Sequence, residues 1–414
     1  MKLSFRKHPL YQIFIWSALA VCILLSYYVV SEMGIGLIAY GDSVQYWAAA
    51  KLMLRGSNPY SPDLVLQLRH QAGNFSEFPP GATSMMLYPP WSIPLILPFG
   101  LFSYQISRLF WLIFNITLLI FSIRLIFLMY GGYKKHLYIA YLVGIFFAPT
   151  LFILGMGHIT TLHLLGIVGF LYFVRKPSNI NYFLAGMCAS LVLIKPQLQY
   201  LLLFALLIWT IDKRKWLIPV GGAISIISLT SIALIINPNV LTQYWNSFRE
   251  YSVGTWVTPT IGSVLRGLLG WDYEWLQILP MIFGIAWFIY HWRNNRKTWD
   301  WIEEMPLLLL VCVVTSPYTW TYDMVVLLIP VLSLVPKLIN INRDIRIWII
   351  IAIYFISNVL TYYLHRFLPD HWYFWFAPLL LILYLVARKL IHDDLAIQKN
   401  LGFESDQTSQ SLAR

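Results

Sequence analysis

Long apolar runs and short basic clusters alternate along the chain from Tyr11 to about Lys389. The clusters fall at Lys2/Arg6/Lys7, Lys134/Lys135, Arg175/Lys176, Lys213/Arg214/Lys215, Arg293/Arg296/Lys297, Lys337 with Arg343/Arg346, and Arg388/Lys389. Runs of this kind cross a bilayer as helices, and cytoplasmic connections carry the excess of Lys and Arg. With every cluster on the cytoplasmic side, the pattern predicts about twelve crossings, in a range of roughly 10–13, and both termini inside. The outer connections are then 31–84, the turn at "LGMGH", a short turn near "IKPQ", 237–275, "TSPYTWTYD" and "YLHRFLPDHWY". The expected architecture is an all-α polytopic membrane protein with one transmembrane domain over 1–392. Its long first outer loop, 31–84, carries short helices, and a polar cytoplasmic tail over 393–414 is expected to be disordered.

Local signals refine that outline. The first run, Tyr11 to Val30, follows a basic start but is long enough to span and lacks a small-residue cleavage site. It reads as a retained helix rather than a removed signal. "DSVQYWAAAKLMLRGSNPY" opens with an Asp or Ser in capping position, continues through good helix formers and ends at "GSNP", so a helix is predicted there. Between Met85 and Tyr130 lie two apolar runs, and the first carries Pro89, Pro90, Pro94 and Pro98. If both cross, Lys134/Lys135 land outside, so either that first run re-enters or the charge rule fails locally. The run from Tyr182 to Ile211 suits two short segments meeting at "KPQ" better than one helix.

Composition sharpens the class. Of 414 residues, 59% are hydrophobic and 11% are charged, where a soluble domain carries roughly 25% charged residues. The 18 Trp, 26 Tyr and 25 Phe suit rings placed at many membrane–water boundaries. The net charge of +11 sits in the clusters between apolar runs, so it reads as topology rather than as a nucleic-acid surface. Cys22, Cys188 and Cys312 lie inside apolar runs without ligand spacing and read as small buried hydrophobes.

Ionisable groups at membrane depth are costly and therefore candidates for function. Asp42 follows the first run closely and can serve as a helix N-cap or as a general base, two compatible roles. Glu32 is a weaker alternative for the same work. Lys195 in "LVLIKPQLQYLLL" either snorkels or stands at the tip of two half-helices, open to an anionic headgroup. His158 and His163 in "LGMGHITTLHLL" are five apart, off ideal ligand spacing, and no metal site is expected. Asp323 heads an apolar run in "VTSPYTWTYDMVVLL", where an acid also suits a helix N-terminus. Asp42, His158, Lys195 and Asp323 all map to one side in the crossing scheme. There is no Walker A, no dinucleotide turn, no nucleophile elbow and no HExxH. No stretch is long enough for a soluble nucleotide-sugar domain, so an activated substrate has to be lipid-borne and presented outside.

"GDSVQYWAAAKLMLRGSNPY", "YPPWSIPLILPF", "GHITTLHLLGIVGFLYF", "AGMCASLVLIKPQ" and "SPYTWTYDMVVL" occur in this order between about residues 38 and 330. In that order the chain resembles family 87 glycosyltransferases, of the GT-C fold class, related to the mycobacterial polyprenyl-phosphate-mannose-dependent mannosyltransferases. The resemblance implies a hexosyltransferase of the cell envelope, in the plasma (inner) membrane, with its active site on the extracytoplasmic face. It implies transfer with inversion from a polyprenyl-phosphate sugar donor to a lipid or glycan acceptor, with mannose among the sugars. The catalytic base of the class matches Asp42, the "YPP" pattern matches Tyr88, Pro89 and Pro90, and the Lys-Pro pair matches Lys195 and Pro196. Gly157-His158 stands where family members often carry Gly-Gln, and Tyr322-Asp323 where the mannosyltransferase branch carries histidines. Tyr46, Tyr88, His158, Lys195, Trp320, Tyr322 and Asp323 are the expected substrate-binding set, with Trp47 and Trp256 as further stacking or anchoring rings. Membrane lipids are partners; no nucleic acid, metal or cofactor is expected. Two rivals stand beside this reading. One is a transporter or flippase of a lipid-linked solute, which the lack of internal repeats and the long first loop disfavour. The other is a polymerase or ligase using a diphosphate-linked donor, kept open by Arg249 and Arg266.

Overall fold

The structure, a computed structural model, describes residues 41–73, 86–251, 256–339 and 345–412. The predicted first span at 11–30, Glu32 and part of the 31–84 loop lie outside the described residues. Within them every regular element is a helix and there is no strand.

Among the described residues six helices are long and apolar enough to cross a membrane, or up to eight if each of two bent pairs counts as one span. The six are Tyr104–Met129, Leu217–Ile236, Glu274–Asn295, Thr321–Ile339, Ile345–Leu364 and Asp370–Asp394. This is fewer than the twelve crossings expected from sequence. The difference arises partly because several apolar runs are broken or short. Lys134–Ile145 and Ala148–Met156 meet at 65°, Asn179–Ile194 and Pro196–Lys213 meet at 118°, and Thr160–Val174 is only 15 residues. The 118° bend at Lys195 is the meeting of two half-helices that the "KPQ" signal predicts.

The Pro-rich run resolves as Pro90–Leu101, a mixture of short 3-10 and α turns. Such a segment reaches about 18–24 Å, short of the roughly 30 Å of hydrocarbon. It is too short for one straight crossing, unlike Tyr104–Met129, which follows it.

Near the site the turns follow local chemistry. Ser43–Leu54 ends where Gly56 takes φ +67°. Ser57 N–H then donates to Leu52 O (2.9 Å) and Gly56 N–H to Met53 O (2.9 Å), a Schellman closure. Pro62–Gln71 starts with Pro62 at its first position and the Ser61 hydroxyl accepting from Leu64 N–H. Farther down, Asn179–Ser190 and Leu217–Ile236 approach so closely that a Cβ on Gly186 would strike Ile218 O, and one on Gly221 would strike Phe183 O. Small residues let membrane helices pack at this distance.

The largest buried cluster joins Phe127, Ile167, Leu201, Leu309, Val326 and Phe376 from six helices. A second surrounds the site with Tyr46, Met53, Ile93, Trp111, Ile159 and Ile194. Burial is uneven, as expected for helices that meet lipid on one side. Only 17% of the Leu217–Ile236 window is buried against 61% for Thr321–Ile339, the helix that carries Asp323. Cys312 is free and buried, as read from sequence, and Cys188 is free but only half-buried; Cys22 lies outside the described residues. The last helix runs from Phe376 through Leu412, so a helix occupies 393–412 where a disordered tail was expected. After Pro378 in its first turn, its sequence offers no Pro or Gly before Gly402 to break the repeat.

Candidate active site

All six connections that the sequence scheme places on one side contribute to one end of the bundle. Asp42 enters from the first. Its N–H donates to Met156 O (2.8 Å), which ties the start of Ser43–Leu54 to the end of Ala148–Met156. Asp42 stands at the N-cap position, but with helical dihedrals (φ −79°, ψ −21°) and no side-chain capping bond. The capping role is thus not taken up, and the carboxylate is free for chemistry. Its side chain is 21% exposed, and Oδ2 lies 3.8 Å from His158 Nε2.

His158 follows Gly157, whose φ of +64° ends the preceding helix in the left-handed region that favours glycine. Trp111 Nε1–H fixes that turn by donating to Gly157 O (2.6 Å). Tyr46, one turn after Asp42, places its ring 6.0 Å from His158 and 5.9 Å from Tyr88 between centroids. Tyr88 reaches His158 Nε2 with its hydroxyl at 2.8 Å.

Lys195 sits at the 118° bend with its ammonium 3.2 Å from the same Nε2. The ammonium donates to Asp323 Oδ1 at 2.9 Å and Oδ2 at 3.1 Å. Both side chains are almost wholly enclosed, so Lys195 does not snorkel, and its charge is already matched by Asp323. Asp323 also accepts from Trp320 N–H (3.2 Å) at the head of its helix and from the Thr160 hydroxyl (2.6 Å). The helix-terminus role and the ion-pair role of this acid therefore coexist. Tyr322 lies 4.2 Å from His158 and 5.4 Å from the ammonium, measured to ring centroids. Trp320 continues the aromatic row, 6.2 Å from Tyr322 and 6.2 Å from Trp256. All eight site residues expected from sequence thus meet in one place. His163 supports from below, its Nε2 accepting from Lys195 N–H (3.2 Å).

Both ring nitrogens of His158 are engaged. Nε2 lies beside the Tyr88 hydroxyl (2.8 Å) and the Lys195 ammonium (3.2 Å). Nδ1 accepts from the Thr160 N–H (3.2 Å) and lies 2.7 Å from the Thr160 hydroxyl, which donates to Asp323. Burial and the nearby Lys195 hold this imidazole well below its ordinary pKa, hence neutral. Asp42 moves the other way. Removal from bulk water pushes its carboxyl up to about 6, against Lys195, which lowers it, while Asp323 adds to the rise. A carboxylate at that value is basic yet ionised at neutral pH, as general-base work requires.

Sequence reasoning missed Thr160 and Asp370. Thr160 lies two residues after His158 and reads from sequence as an ordinary helix residue. Asp370 accepts from the Thr321 backbone (3.1 Å) and hydroxyl (2.5 Å) and from His365 (3.1 Å), anchoring the Trp320–Tyr322 segment to the last outer connection. The only hint was an acid in "FLPDHWY". Arg266, a reason to consider diphosphate donors, instead spends its guanidinium on Trp271 O (2.7 and 3.2 Å).

Thr160→Val removes the hydroxyl bridging His158 and Asp323 at nearly constant shape. Unfolding measurements are expected to show a loss of about 1–3 kcal/mol, with Thr160→Ser close to wild type. An unchanged Thr160→Val variant would show that the bridge carries no weight.

A bundle of apolar helices with an acid, a neutral imidazole and a buried ion pair gathered at one end defines a membrane protein with an acid–base centre. A model described as Glycosyltransferase family 87 matches residues 86–317, more than half of the chain, and the chain belongs to that family of membrane glycosyltransferases. The matched stretch contains Tyr88, His158 and Lys195; Asp42, Tyr46, Trp320, Tyr322 and Asp323 flank it. No curated protein and no solved structure matches the chain significantly.

Proposed function

We propose that the protein transfers a hexose from a polyprenyl-phosphate donor to a hydroxyl of a lipid or glycan acceptor, with Asp42 as the general base. The observation that carries this reading is the convergence on His158 Nε2. The Tyr88 hydroxyl and the Lys195 ammonium both lie within hydrogen-bond distance of that one atom, and the Asp42 carboxylate stands beside it. A phosphate oxygen entering there takes both donors from the imidazole.

The chemistry balances without further groups. Asp42 takes the proton from the acceptor hydroxyl as that oxygen bonds to the anomeric carbon. The bond from that carbon to the phosphate oxygen breaks on the opposite face, giving inversion. Polyprenyl phosphate leaves with the electron pair, and its added negative charge meets Lys195 and Tyr88. Such donors, fixed before the reaction, stabilise developing charge at no reorganisation cost. Asp323 holds the ammonium in place through two bonds. Trp320 and Tyr322 offer faces on which a sugar ring can stack.

The site lies at the extracytoplasmic face in this reading. Every basic cluster can then share the cytoplasmic side, the half-helices around Lys195 enter and return from that side, and both termini stay inside. The prenyl tail remains in lipid while headgroup and acceptor meet at the helix ends.

The pH dependence tests the role of Asp42. The base works deprotonated, so single-turnover transfer should rise about tenfold per unit below pH 6 and level off above it. The donor phosphodiester does not titrate in this window, so the limb belongs to the protein. A flat profile down to pH 5 would remove the carboxylate from the proton-transfer step.

A further inference from the structure

A second polar cleft lies at the opposite end of the bundle. Tyr130 closes the C-terminus of Tyr104–Met129, a helix of 26 residues that begins near the Asp42 site, so the two sites are about 39 Å apart. The cleft is lined by Tyr130, Glu303, Ser333, Lys337, Tyr384 and Arg388, among others, from four different helices and their ends. Its hydrogen bonding is incomplete. The Tyr130 hydroxyl is fully enclosed and has no hydrogen-bond partner, although Tyr384 and Glu303 lie within its electrostatic reach. The Tyr384 hydroxyl, by contrast, is bonded to Ser333. A buried donor without an acceptor costs about 1–3 kcal/mol and calls for an explanation.

Among the residues lining the cleft, Lys337 and Arg388 outnumber Glu303, whose nearest oxygen is 3.7 Å from Lys337 Nζ, too far for a hydrogen bond. Asp300 and Glu304, also within electrostatic reach, are engaged by backbone N–H groups of their helix and by His291. Lys337 follows Pro336 in the last turn of its helix, and Glu303 lies in the first turn of Trp301–Thr315. On the Arg388 helix, Ile382, Leu385 and Val386 are exposed just before the guanidinium. An apolar strip leading up to a cationic cleft with an unfilled donor matches an amphiphile, acyl chains on the strip and an anion in the cleft.

We propose that this cleft binds the phosphate of an anionic membrane lipid. Lys337 and Arg388 pair with the phosphate at the membrane surface, and Tyr130 O–H donates to one of its oxygens. The bound lipid bridges the ends of these helices, whose Lys337–Glu303 contact here is loose. Nothing in this site touches the residues proposed for sugar transfer, so it stands or falls separately.

Purified full-length protein in nanodiscs or mild detergent provides the test, with lipid retention read by native mass spectrometry. The wild type is expected to retain phosphatidylglycerol in preference to phosphatidylcholine. Lys337→Ala/Arg388→Ala, both at exposed positions, should weaken that retention about thirty-fold. Tyr130→Phe should weaken it about tenfold, because a bond to a charged acceptor is lost. With only phosphatidylcholine present, the double variant should match the wild type in unfolding midpoint, and Tyr130→Phe, which removes an unpaired buried donor, should match or exceed it. Equal retention of the two lipids by the wild type, or unchanged retention in both variants, overturns the proposal. Stabilisation by inorganic phosphate that the double variant loses, without a lipid preference in the wild type, overturns its lipid part by assigning the cleft to a free anion.

Discussion

Asp42→Asn is expected to lower sugar transfer by about 10²–10⁴-fold while leaving the folded bundle intact. The reasoning on stability is as specific as that on activity. Asp42 makes no side-chain capping bond, and its tie to Met156 runs through the backbone, which Asn preserves. The carboxylate is held up near 6 by desolvation and by Asp323, so neutralising it removes an unfavourable charge rather than a favourable one. Thermal unfolding of the variant should therefore match or slightly exceed that of the wild type. Label transfer from lipid-linked sugar, measured on the same preparation, supplies the activity arm. A variant that folds and transfers at the wild-type rate would strip Asp42 of its proposed role.

Lys195→Met carries the second large effect, and here stability and activity both fall. The ammonium and the Asp323 carboxylate are enclosed together, and removing one partner strands the other. Breaking such a pair costs about 3–5 kcal/mol, whereas neutralising both sides is far better tolerated. Lys195→Met/Asp323→Asn should thus recover most of the unfolding midpoint lost in the single variant. It should not recover transfer, because the leaving phosphate still lacks its cation, a loss of about 10²–10³ for a single missing donor. If the double variant regains both stability and activity, the ion pair is architectural only. Lys195 would then have no part in the reaction.

Much of this site was legible because membranes make charge expensive. Asp42, Lys195 and Asp323 stand out in apolar sequence, and the basic clusters sort their connections onto one side, so their meeting could be anticipated. The half-helix bend at Lys195 was readable from the Lys-Pro pair within one overlong apolar run. What the sequence could not fix was pairing in space. Lys195 reads as open to an anion, yet its ammonium is engaged by Asp323, which is 128 residues away in the chain. Thr160 carries no signal at all, since a Thr in an apolar helix is ordinary until its hydroxyl is seen between His158 and Asp323. The spans were hard to count from sequence for a related reason. Hydropathy counts apolar runs, whereas Pro90–Leu101 and the bent pairs show that an apolar run need not be one straight crossing.

Transfer from a lipid monophosphate donor is the central claim, and one measurement addresses it most directly. Membranes containing the protein are incubated with radiolabelled polyprenyl-phosphate sugars and, separately, with diphosphate-linked ones, and the label is followed together with the released carrier. The expected result is label moving from a monophosphate donor into a lipid or glycan acceptor, with one polyprenyl phosphate freed per sugar. Passage of intact labelled donor across the bilayer, or transfer from diphosphate-linked donors alone, would contradict it.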